Sequence, residues 1–74
     1  MATYPDVQDR VKRLLKAELK RRGVTYQELA KRLEAAGVHE SPQNIANKIS
    51  RGGFSAVFLV QCLDAIGCKT LNLE

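Results

Sequence analysis

Tryptophan is absent, aromatic residues make up only 5% of the chain, and the basic first helical block has no Trp or Phe on its apolar face, which argues against an amphipathic helix lying on an anionic membrane. There is one histidine, His39, with no second ligand at metal spacing, which argues against a metalloenzyme. The two cysteines, Cys62 and Cys68, stand in apolar context without CxxC spacing and read as reduced, packed thiols of a cytoplasmic protein. The longest apolar run is Ala56–Val60, far below the ~20 residues a membrane-spanning helix needs, so no membrane role is expected. Met1-Ala2-Thr3-Tyr4-Pro5 leads into charge instead of an apolar signal core, which predicts no export. Gly52-Gly53 lacks the flanks of a phosphate loop, and the acids are scattered without a convergent pair. An enzyme is not expected, nor a cofactor or metal.

What is present is a small folded domain. Its 74 residues allow one modest core and no second lobe, so residues 1–74 read as a single domain. Apolar residues at 45% and charged residues at 27% match a folded chain, not a disordered tail. Twelve Lys and Arg against eight Asp and Glu leave a net +4, a balance that suits an anionic partner without requiring one.

Glycine and proline divide the chain into four helical blocks, predicted at about 6–22, 26–36, 42–51 and 56–66. In the first, Val7, Val11, Leu14, Leu15 and Leu19 form an apolar stripe that contains Glu18. An unpaired carboxylate there would be costly, so Arg22, Arg32 or Arg51 is expected to pair with it. Arg10, Lys12, Arg13, Lys16 and Lys20 occupy the other side, and the simplest reading of that run is a solvated face. Gly23 ends the block and lets Val24 fold back on Leu19.

The second block opens on Thr25 and Glu28, spaced for a capping box, and Glu28 stands four residues before Arg32 for a surface pair. Leu29, Ala30, Leu33 and Ala36 line one face, and Gly37-Val38 repeats the stop. Ser41-Pro42 caps the third block, where Ile45, Ala46 and Ile49 face inward and Gln43, Asn44, Asn47, Lys48 and Arg51 remain outside. Ser55 caps the fourth, whose core arc is Phe58, Leu59, Cys62, Leu63 and Ile66. Val57 and Val60 fall on its far side beside Gln61, apolar groups that need covering from elsewhere. The tail at 68–74 alternates like a short strand, although no second strand is evident to pair with it. The fold class is thus all-α: a four-helix helix-turn-helix bundle, five elements if the extended tail is counted.

The second and third blocks with their glycine-containing turn have the helix-turn-helix layout. Amides such as Gln43, Asn44 and Asn47 suit adenine edges, and Lys48 and Arg51 suit guanine or phosphate. No acid lies between Ser41 and Phe58 to repel a phosphate backbone.

These residues carry a resemblance. The run Leu19-Lys20-Arg21-Arg22-Gly23-Val24-Thr25-Tyr26-Gln27-Glu28-Leu29-Ala30, then Ile49-Ser50-Arg51-Gly52 and a hydrophobic fourth helix ending Ala65-Ile66-Gly67, resembles the lambda-repressor-like (Cro/cI-type) helix-turn-helix domain. The chain looks like an atypical small member, bacterial or phage-derived. The resemblance implies that Thr25, Tyr26 and Gln27 meet phosphate and that Gln43, Asn44, Asn47 and Lys48 face base edges. It also implies that Arg51, Gly52 and Gly53 meet phosphate beyond the third helix. Two features depart from the pattern: Tyr26 stands where glutamine is common, and Glu34-Ala35-Ala36 lengthens the second helix by about a turn. The expected function is a cytoplasmic, nucleoid-associated transcription regulator that binds double-stranded DNA as a homodimer through Val57, Val60, Gln61, Leu71 and Leu73. An antitoxin-like repressor with a protein partner, or an adaptor of the transcription machinery, are the alternatives.

Overall fold

The computed structural model describes residues 3–73, so Met1, Ala2 and Glu74 lie outside it. The chain is all-helical: α1 spans Tyr4–Arg21, α2 Tyr26–Ala35, α3 Pro42–Arg51 and α4 Ala56–Ala65. Each N-terminus is fixed by a hydroxyl. Thr25, Ser41 and Ser55 accept from the N–H three residues on, at 3.1 Å each. α1 begins earlier than predicted because Thr3 and Asp6 form a reciprocal capping box. The Thr25 box is only half made, because the Glu28 carboxylate turns to Arg32 Nε at 3.3 Å, the surface pair the spacing predicts.

One device stops three helices. Val24 N–H donates to Leu19 O at 2.9 Å and Gly23 N–H to Lys20 O at 3.1 Å, the paired bonds of a Schellman motif. Gly23 takes φ +68, a region costly for any residue with a Cβ. The same two bonds recur at Gly37-Val38 and at Gly67-Cys68. α2 therefore ends at Ala35 with Ala36 exposed, so the predicted extra turn is shorter by one residue.

α3 packs against both α1 and α2, and α2 also carries α4. Leu15, Leu29, Leu33, Ile45, Ile49 and Cys62 are fully buried where these elements meet. Burying such a side chain is worth about 1.5–3 kcal/mol, so this cluster is what holds α3 in place. Val7, at the N-terminal end of the predicted stripe, is exposed. α4 has no basic residue in its last turn, and Arg22 and Arg32 serve it instead, donating to Ile66 O and Ala65 O at 3.4 Å each.

Glu18 is buried and paired, but its main partner is Arg21 at 2.6 Å, with Arg22 at 3.9 Å. Arg32 belongs to Glu28, and Arg51 has no partner among the described residues, so neither of these two expected partners pairs with Glu18. Residues 68–73 form no strand, which corrects the alternation reading: among the described residues no second strand exists to complete a ladder. The tail instead returns to α1, where Arg10 Nη2 donates to Leu73 O. No described helix is long and apolar enough to cross a membrane.

Candidate nucleic-acid interface

α3 is held from beneath by Ile45 and Ile49, and Ser41 and Pro42 fix its N-terminal end. At 3.6 residues per turn, Gln43, Asn44, Asn47, Ser50 and Arg51 share an outward arc of roughly 120°. All five are exposed. The side chains of Gln43, Asn44, Asn47 and Arg51 meet no hydrogen-bond or ion-pair partner among the described residues. The arc thus displays side-chain donors and acceptors with no acid among them.

Lys48 does not share that arc. It sits at the border between the outward face and Ile45, and its ammonium turns inward. Nζ lies 2.9 Å from Glu40 Oε1 and 4.9 Å from the centre of the Phe58 ring. Lys48 therefore joins the turn before α3 to both α3 and α4, and its ammonium is not displayed with the amides of the outward arc. Glu40 Oε2 is buried without a hydrogen-bond partner. The nearby Cys62 thiol is pushed up to about 12, first by burial and then by the Glu40 charge, with Lys48 opposing.

The expected phosphate contacts fall at two places. Thr25 caps α2 and Tyr26 and Gln27 begin it, and the N–H groups of Tyr26 and Gln27 have no acceptor among the described residues. Thr25 and Tyr26 line a hollow of about 280 Å³ together with Lys16 and Lys20 of α1. Both lysines are exposed and have no ion-pair partner among the described residues, whereas Lys12 and Arg13 are engaged by Asp9 at 3.5 and 3.1 Å. Sequence reading treats all five cations of this face as one solvated run. The signal that separates Lys16 and Lys20 is that no acid stands three or four residues from either, whereas Asp9 stands so before Lys12 and Arg13.

The second place is the end of α3. Arg51 and Gly53 are exposed there, but Gly52 is buried and its N–H is already committed to Ile49 O at 3.1 Å and Lys48 O at 3.3 Å. Its predicted phosphate contact is withdrawn. Gly52 is a glycine for packing reasons: at φ +71, a Cβ would stand 2.8 Å from the backbone oxygen of Gln8.

The predicted dimer residues do not form one patch. Val57 and Val60 are 67% and 53% exposed and line a hollow of about 370 Å³ with Ala56 and Gln61. Leu73 lies in a different hollow, against Arg10, Arg13, Leu14 and Ala17 of α1, and Leu71 is half-buried. The tail therefore leaves the apolar side of α4 uncovered.

The class defined by these features is a small all-α domain that presents an amide-rich helix. By sequence, residues 8–71 match the family described as Domain of unknown function (DUF6471), and the chain belongs to that family. No curated protein and no solved structure matches it.

Proposed function

We propose that this protein is a sequence-specific DNA-binding regulator of transcription that inserts α3 into the major groove. The observation that carries the reading is the outward arc of α3: Gln43, Asn44 and Asn47, exposed and unpartnered, followed by Arg51, with no acid among them. Paired donors and acceptors on an amide match an adenine edge in the major groove, and a helix is the element that groove admits. Thr25, Tyr26, Gln27, Arg51 and Gly53 then serve as phosphate contacts that set register without reading sequence. The resemblance to lambda-repressor-like domains supports the same arrangement. A nucleoid location follows from this reading.

The uncovered apolar side of α4 supports action as a homodimer, with Val57, Val60 and Gln61 at the contact and half-sites about 34 Å apart. The same surface supports the second reading, an antitoxin-like repressor whose α4 holds a different polypeptide. A second chain that co-purifies in stoichiometric amount would favour that reading over the homodimer.

The test begins with genomic fragments captured on the purified protein and sequenced, which yield a palindromic motif if the reading holds. On that motif, Asn44→Ala and Asn47→Ala each cost about 1–3 kcal/mol and relax preference at one base position. Arg51→Ala weakens every sequence alike and flattens the salt dependence. Unchanged affinity and preference in both asparagine variants would remove α3 as the reader and leave a protein-interaction module.

A further inference from the structure

Gln8, in the second turn of α1, lies against the loop that follows α3. Its backbone oxygen stands 2.8 Å from where a Gly52 Cβ would be, and its side-chain Nε2 stands 2.9 Å from where a Gly53 Cβ would be. The side chain is thus laid directly over the Gly53 backbone in space that any other residue at 53 would fill. It is half-buried, and its amide has no hydrogen-bond partner among the described residues. The N–H groups of Gly53 and Phe54 also lack an acceptor among the described residues. From standard backbone lengths, Nε2 and the Gly53 nitrogen are no more than roughly 5 Å apart. Two donors at that separation can reach two oxygens of one phosphate with ordinary N–H···O bonds.

We propose that Gln8 is a phosphate-contacting residue of the DNA interface, its Nε2 and the Gly53 and Phe54 N–H groups forming one donor corner for a backbone phosphate just past α3. The proposal rests on the DNA-binding reading above and adds α1 to the elements that touch DNA. It also gives Gly53 a role apart from that of Gly52. Gly53 does not adopt positive φ, so its backbone accepts alanine. What alanine disturbs there is the flexible end of Gln8. Gly53→Ala should therefore act on DNA binding through Gln8 and leave the fold intact.

A double-mutant cycle on the captured duplex tests this, with Asn47→Ala as control and circular dichroism to verify folding. Gln8→Ala and Gly53→Ala should each weaken binding about three- to tenfold, the range of one hydrogen bond. The double variant should be no weaker than Gln8→Ala alone. Base preference should not change. The slope of affinity against salt should stay at the wild-type value, because a neutral amide displaces no counterion, unlike Arg51. Gln8→Glu, which keeps the shape and adds a charge, should bind more weakly than Gln8→Ala. Additive losses would overturn the shared corner, as would a reduced slope in Gln8→Ala. Wild-type affinity in Gln8→Ala while Asn47→Ala fails would remove Gln8 and leave the DNA reading standing. A wild-type protein that binds no duplex even at low salt would remove both.

Discussion

Removing Lys48 should cost stability and leave sequence reading untouched. The Lys48 side chain is 36% exposed and that of Glu40 only 16%, so their 2.9 Å pair lies between a surface bridge and a buried one. Exposed pairs contribute about 0.2–1 kcal/mol. A buried pair broken from one side costs about 3–5 kcal/mol, because the remaining charge has lost its compensation. The two halves of this pair are unequal. Glu40 already has one buried oxygen without a partner, so Lys48→Met leaves a carboxylate with neither oxygen satisfied and also removes the cation above Phe58. We place that loss at about 2–3 kcal/mol. Glu40→Gln leaves an ammonium that can swing into water, and should cost about 1 kcal/mol. The double variant should recover part of the Lys48→Met loss. Each kcal/mol shifts Tm by about 4–8 °C in a domain of this size, so thermal melts followed by circular dichroism resolve all three. On DNA well below Tm, Lys48→Met should keep wild-type base preference. A fully stable Lys48→Met protein that has lost discrimination at one base would refute the reasoning and return Lys48 to the reading face.

Gly52→Ala should destabilise the domain by about 2 kcal/mol or more in urea titrations, from the cost of positive φ and the displacement of α1 at the Gln8 oxygen. Gly53→Ala, one residue on, should melt like wild type. Cys62, fully buried and with its thiol pushed up to about 12, should resist an aromatic disulfide reagent at neutral pH and react only as fast as the native state opens. Because its folded value lies above the ordinary 9.0, its contribution to stability is complete below pH 9 and fades as pH rises toward 12. Cys62→Ser should abolish that alkaline component. An equal slope in both proteins would refute the assignment.

The helix boundaries were legible where their determinants are local. A hydroxyl followed by two free residues and a bonded N–H, or a glycine followed by an apolar residue, specifies its own geometry, and both devices recur down the chain. The start of α1 was legible by the same rule, in Thr3 and Asp6, a pair that lies before the apolar stripe on which the sequence reading relied. The tail was not. Alternation describes one strand, and whether a strand forms depends on a partner that these six residues do not contain. Glu18 shows the same limit at the level of one side chain. Spacing places Arg21 and Arg22 equally well, and the choice falls to Arg21 as Arg22 also reaches the Ile66 carbonyl on α4.

The candidate site divides along the same line, and the division changes what the net charge means. That Gln43, Asn44 and Asn47 face outward follows from the position of Ile45 and Ile49, which any helical wheel shows. That Lys48 turns inward depends on Glu40 across a turn and Phe58 on another helix, and that Gly52 is packed instead of open depends on Gln8 far upstream. A net +4 invites every lysine and arginine to be counted toward a phosphate backbone. The folded chain spends Lys12 and Arg13 on Asp9, Arg21 and Arg22 on Glu18, Arg32 on Glu28 and Lys48 on Glu40. Lys16, Lys20, Lys31, Arg51 and Lys69 are left without a partner among the described residues. Arg10, which donates to the Leu73 carbonyl, likewise has no acid to answer its charge among the described residues, so half of the twelve cations keep their charge for an outside partner. Under the proposed function these cations supply the salt-dependent share of affinity, while neutral donors at fixed points, the amides on α3 and the backbone N–H groups at the helix ends, set register and read sequence.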